Sequence, residues 1–268
     1  MQASTHPDYY RVEPEKGKAS LGIDAIRAVS EKLYEHARLG GAKVVWIADA
    51  AQLTEAAANA LLKTLEEPPE NTWFLLSCRT PENLLATLRS RCFYWHIPVP
   101  EERYALAWLA REKPATPDEL SAALRLSGGA PAAALTLLED QAREARHQLC
   151  VATDGALSQQ DFLSLLTVLN HDSAPMRLYW LSALLLDAVK WQQGAARWLT
   201  NPDRQPLVER LAAQLTVFQL QHCLHSLFRT REQLLRVAGV NRELLLTDLL
   251  LSWEQMLTSG VQRPLFHL

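Results

Sequence analysis

Up to about residue 98 the chain alternates short unbroken apolar runs with helically spaced apolar stripes, and beyond it only the stripes remain. "KVVWIA" (43–48) follows Gly40-Gly41 and ends at Asp49; "TWFLLSC" (72–78) and "CFYWHI" (92–97) are two further runs. Runs of this length, rich in β-formers and without polar alternation, predict strands of a parallel sheet covered on both faces. Ile26, Val29 and Leu33 predict a helix over 23–37. Thr54 is placed to cap a helix over 55–66, with Leu61, Leu62 and Leu65 on one face, and Pro68-Pro69 stops it. Thr80-Pro81 predicts the start of another, with Leu84, Leu85 and Leu88 as its buried stripe. Strands and helices alternating over short links imply right-handed crossovers.

After Pro98 and Pro100 helical patterns cover 101–112, 117–126 and 131–140, punctuated by Pro114, Pro117 and "SGGAP". Longer amphipathic patterns follow at 159–169, 174–192, 206–213, 217–237 and 241–257. The expected fold is therefore α/β then all-α: an α/β part over 1–98, a small helical domain over 99–141 and a larger helical domain over 142–268.

Composition narrows the function classes only a little. A net charge of −3 excludes a strongly basic nucleic-acid binder, so any contact with DNA must come from a local patch. The four cysteines, Cys78, Cys92, Cys150 and Cys223, form no C-x-x-C pair and read as reduced, mostly buried thiols. Residues 1–30 lack the pattern of a secretory leader, and "LYWLSALLLDAV" is interrupted before it could span a bilayer. A soluble, cytoplasmic chain with no membrane association is expected.

The segment "KVVWIADAAQLTEAAANALLKTLEEPPENTWFLLSCRTPENLLATLRSRC" resembles the AAA+ clamp-loader subunits of bacterial DNA polymerase III. The upstream "THPDYYRVEPEKGKASLGIDAIRAVSEKL" makes the likeness delta-prime-like, and it continues more weakly through "LSGGAPAAALTLLE" and "NRELLLTDLLL". The resemblance implies a partial AAA+ sheet domain, a helical lid and a C-terminal collar. It also implies that the family's phosphate loop and zinc-binding cysteines lie in a segment upstream of Met1.

No G-x-x-x-x-G-K-[ST] loop occurs in the chain; "GGAKVV" lacks the spacing and enters a strand. Where the family carries the aspartate and glutamate that hold Mg²⁺ and position water, this chain has Ala48 and Asp49. A methyl group ligates no metal, and Asp49 reads as a strand-end carboxylate capping the next turn. The family's sensor positions fall on Cys78, Arg79 and, in the lid, Ala132. The expectation is a subunit with no ATPase activity, bound cofactor or metal of its own.

The triplet Ser90-Arg91-Cys92 is intact. A strand of five residues spans about 17 Å, which puts Arg91 and Asp49 on opposite edges of the expected sheet. The resemblance implies that Arg91 serves the Mg-ATP of a neighbouring subunit as an arginine finger in trans, with Ser90 closing the helix and Cys92 burying as a strand begins. A cation at a helix C-terminus is the plainer alternative, and Arg89 fits it. The implied partners are the ATPase subunits and delta, with the sliding clamp and primed DNA reached through the assembled complex. A pure scaffold, or an active ATPase whose phosphate loop lies upstream, are the rival readings.

His222, Cys223 and His225 lack further metal ligands and read as ordinary helix positions. The eight tryptophans read mostly as core or interface residues. Arg229, Arg231, Arg236 and Arg242 read as a solvated basic face, or as part of the collar with sister subunits. Lys63 and Arg79 are candidates for contact with the DNA backbone.

Overall fold

The computed structural model describes residues 6–14, 18, 20–237 and 239–258. The chain divides into two compact units, 1–97 and 98–268.

In the first unit β1 (Tyr9–Val12), β2 (Lys43–Ile47) and β3 (Thr72–Leu76) form a parallel sheet of order β1-β2-β3. Helix α1 (Ile23–Leu33) connects the first pair and α2 (Glu55–Glu66) the second. Thr54 caps α2 as expected, its hydroxyl oxygen accepting from Ala57 N at 3.2 Å. Gly40 precedes β2 at φ 70°, a left-handed conformation that favours glycine. Helix α1 stops at Leu33 and does not reach residue 37. Its closing carbonyls bind the buried Lys43, whose Nζ donates to Leu33 O and, at 2.9 Å, to Glu35 O.

The expectation of a sheet covered on both faces is corrected. Val12, Val45 and Ile47 pack with Ile26, Leu33, Ala57 and Leu61 on one side, while Trp73 and Leu75 on the other are 66% and 55% exposed. The topology accounts for this. Both crossovers step the same way across the sheet, and right-handed crossovers that do so place both helices on one face.

The segment 92–97 forms no strand, and Phe93, Tyr94, Trp95 and Ile97 are exposed. Its residues favour extended backbone, but propensity alone makes no strand, and the run pairs with neither β1 nor β3 at the edges of the sheet. The helix expected from Thr80-Pro81 is also broken. A 3-10 turn covers Pro81–Asn83, Leu84 is extended, and α3 runs only Ala86–Arg89. Leu84 and Leu88 are buried, but Leu85 is exposed.

The second unit is helical throughout its described residues. Helices α4 (Glu102–Glu112), α5 (Pro117–Leu126) and α6 (Pro131–Leu137) enclose a small core of Leu109, Leu120, Leu124 and Leu138. A separate, larger core is built by α7 (Asp140–Gln159), α8 (Leu166–Leu169), α9 (Ala174–Gln192), α10 (Gln205–Gln214), α11 (Val217–Arg236) and α12 (Arg242–Thr258). The sequence pattern missed α7, whose "DQAREARHQ" start is too polar to show a stripe. The helix expected over 159–169 is instead a 3-10 turn, Leu163–Leu165, and the single turn of α8.

Trp180 and Trp253 lie in the larger core, whereas Trp73, Trp95 and Trp198 are exposed. The late arginines are not a uniform solvated face either. Arg231 Nε donates to Pro175 O at 2.9 Å, and Arg242 binds Asn170 and Asp172. No helix among the described residues is long and apolar enough to cross a membrane.

Candidate functional site: an arginine at the end of a short helix

Of the positions expected to mark a nucleotide site, those in the first unit lie together at the C-terminal ends of the adjacent β2 and β3, where Ala50 N donates to Ser77 O at 2.8 Å. Ala48 and Asp49 leave the C-terminal end of β2. The Asp49 carboxylate accepts from Ala51 N at 3.2 Å and so caps the 3-10 turn Ala50–Gln52, the capping role read from the sequence. Ala48 offers a metal no side-chain ligand, and one of the two Asp49 carboxylate oxygens is engaged by the turn. Cys78 is half-buried and Arg79 exposed beyond β3. Ala132 is exposed on the first turn of α6, in the other unit.

Ser90, Arg91 and Cys92 form a compact turn. Ser90 is the C-cap of α3, and its hydroxyl donates to Thr87 O at 3.0 Å, so the serine does close the helix. Cys92 is half-buried in a turn and not at a strand start, and burial pushes its thiol above the ordinary range. A thiol so shifted is a poor nucleophile and reads as packing.

The Arg91 guanidinium is held from two sides. Its Nε donates to Glu66 Oε1 at 2.5 Å, and its Nη2 also contacts that oxygen. On the other side Nη1 donates to Thr87 O at 2.9 Å and lies 3.4 Å from Ser90 Oγ. The Arg91 side chain remains 31% exposed. Sequence reading missed Glu66. The two residues are 25 positions apart with no periodic relation, and only the return of α2 and α3 to one end of the sheet brings them together.

That contact fixes where Arg91 sits. Glu66 ends α2, and Glu55, which starts it, lies just beyond the Asp49 turn. Twelve residues of helix span roughly 16 Å, so Arg91 and Asp49 occupy opposite ends of the unit. The separation expected from the sequence holds, by way of α2 and not of a strand at residue 93.

Elsewhere, Lys63 and Arg79 are both exposed. Burial and the neighbouring His225 push His222 below its ordinary value, and Cys223 is buried between them. Among the described residues no three His, Cys, Asp or Glu side chains cluster as a metal site.

Comparison with known proteins decides the family. Residues 1–101 match the family described as "DNA polymerase III, delta subunit", residues 100–139 that described as "DNA polymerase III subunit delta', AAA+ ATPase lid domain", and residues 140–255 the delta C-terminal family. The DNA polymerase III subunit delta' of Escherichia coli is 57% identical over all of this chain, which spans 80% of that relative. The chain belongs to the DNA polymerase III delta' family. It is thus a clamp-loader subunit of a replicative polymerase, with an AAA+ lid between its two larger parts. The tau subunit of Escherichia coli DNA polymerase III is 34% identical over 53% of this chain and 21% of its own. A solved gamma-subunit-related protein of DNA polymerase III from Thermotoga maritima is similar at a TM-score of 0.51, with 25% identity over 93% of this chain and 84% of its own.

Proposed function

We propose that this delta' subunit hydrolyses no ATP itself and completes the ATP site of a neighbouring subunit with Arg91, supplied in trans as an arginine finger. The observation that carries the reading is the position of Arg91, partly exposed at the end of α2 remote from Ala48 and Asp49. A guanidinium there is out of reach of a nucleotide beside β2 but open to one held by an adjoining chain. It would bring a permanent charge and planar N–H donors to the γ-phosphate, where charge builds as the phosphoryl group leaves.

Ala48, the cap made by Asp49, and Ala132 support the absence of a nucleotide site in this chain. Likeness to delta' and tau supports the ATPase subunits and delta as direct partners. The sliding clamp and primed DNA are reached through the whole complex, in which Lys63 and Arg79 are exposed cations for the backbone.

The test is single-turnover ATP hydrolysis by a clamp loader reconstituted with Arg91→Ala, with assembly verified by gel filtration. The reading predicts loss of the fast phase belonging to the interface with this subunit. The Glu66 ion pair favours a second reading, in which Arg91 only ties α3 to α2 and the subunit is a scaffold. That reading predicts an unchanged fast phase.

A further inference from the structure

We infer that Glu66 is the positioning residue of the finger: its carboxylate sets the direction in which Arg91 presents its free donors. The inference rests on the trans-finger reading and adds to it a residue outside the Ser90-Arg91-Cys92 triplet.

A guanidinium has five N–H groups in one plane, arranged as two edges, Nε with Nη2 and Nη1 with Nη2. In this subunit the first edge is taken by Glu66 Oε1, while Nη1 meets Thr87 O at 2.9 Å and Ser90 Oγ at 3.4 Å. The N–H of Nη2 that faces Nη1 has no partner among the described residues. With two anchors on different helices, the plane of the guanidinium is set before any phosphate arrives. Thr87 and Ser90 belong to the same short helix as the finger, so they cannot fix it relative to the sheet. Glu66 lies on α2, which packs on the sheet through Ala57, Ala58 and Leu61, and so ties the guanidinium to the rigid part of the unit.

An arginine has many rotamers, and a finger that must find one of them as the phosphoryl group departs loses rate. Anchoring through Nε removes that search while leaving an N–H of Nη2 for a phosphate oxygen. Glu66 itself would touch neither nucleotide nor magnesium. Its loss should therefore slow turnover without weakening ATP binding.

The experiment compares four reconstituted clamp loaders: wild type, Glu66→Ala, Arg91→Ala and the double variant. Each is assayed for clamp- and DNA-stimulated ATP hydrolysis after equal assembly is confirmed. Alanine suits the exposed position of Glu66 in the last turn of α2, and the melting temperature of Glu66→Ala checks the fold. The expected result is a fall in kcat of about tenfold for Glu66→Ala with KM for ATP unchanged. Arg91→Ala falls further, and the double variant falls no further than Arg91→Ala alone. If Arg91→Ala slows hydrolysis while Glu66→Ala does not, the finger stands and the positioning role is wrong. If Glu66→Ala slows hydrolysis by the same factor when Arg91 is already alanine, Glu66 acts through the fold and the inference is likewise overturned. If Arg91→Ala has no effect, the trans-finger reading falls and takes this inference with it.

Discussion

Asp187, on α9, is fully buried, and its carboxylate organises the segment that links α9 to α10. Thr200 N donates to it at 2.8 Å, Asn201 N at 2.7 Å and Asn201 Nδ2 at 2.8 Å, while Lys190 Nζ supplies the countercharge at 2.8 Å. Asn201 and Asp203 in turn receive Arg146 of α7, so one carboxylate supports an ordered network across three elements. Asp187→Ala removes the acceptor and leaves one buried and one half-buried backbone N–H without a partner, at about 1–3 kcal/mol each. Lys190 is 25% exposed and keeps Trp198 O and Thr200 Oγ1, so its charge can turn to water and adds little. The expected loss is ~3–5 kcal/mol, within the range for breaking a buried ion pair from one side and a large share of the stability of an ordinary domain. Urea unfolding followed by tryptophan fluorescence measures it, with Trp180 and Trp253 reporting on this core. A loss below about 1 kcal/mol at unchanged m would refute the reasoning, because it would mean the linker N–H groups find other partners at no cost.

Two further predictions concern titration. Glu119 closes the capping box of α5, and hydrogen bonds from Thr116 N and the Arg143 guanidinium hold its carboxyl below the ordinary range against the opposing effect of burial. A depressed folded value contributes stability that is fully present above the unfolded value of about 4.3 and is lost as pH falls through the folded one. Glu119→Gln should therefore flatten the acid limb of the stability profile; an unchanged limb would contradict the assignment. Burial pushes the Cys223 thiol up to about 12, so iodoacetamide at pH 8 should modify Cys223 only on unfolding, and peptide mass mapping of the native protein checks this.

Helices with strong start and stop signals were legible in the sequence: α2 with Thr54 and its Pro-Pro stop, and α5 from Pro117 to Leu126, fall where the pattern placed them. What the pattern could not carry was pairing. A run such as 92–97 states a preference for extended backbone but not whether it pairs, and β1 was too short and mixed to stand out. The same limit applied at the site. The motif drew attention to Arg91, but its distance from Asp49 was reasoned from a strand after Cys92 that does not form. Its partner Glu66 depends on how α2 and α3 return to one end of the sheet, and such a tertiary contact leaves no linear trace.

The most direct measurement of the central claim is single-turnover ATP hydrolysis by the assembled clamp loader carrying Arg91→Ala or Arg91→Lys. Lysine keeps the charge but lacks the planar fork, so it separates electrostatic help from directed donation. The account predicts that the phase at this subunit's interface slows by on the order of 10³ with alanine and is only partly restored by lysine. A complex that assembles normally and hydrolyses at the wild-type rate with alanine would contradict it.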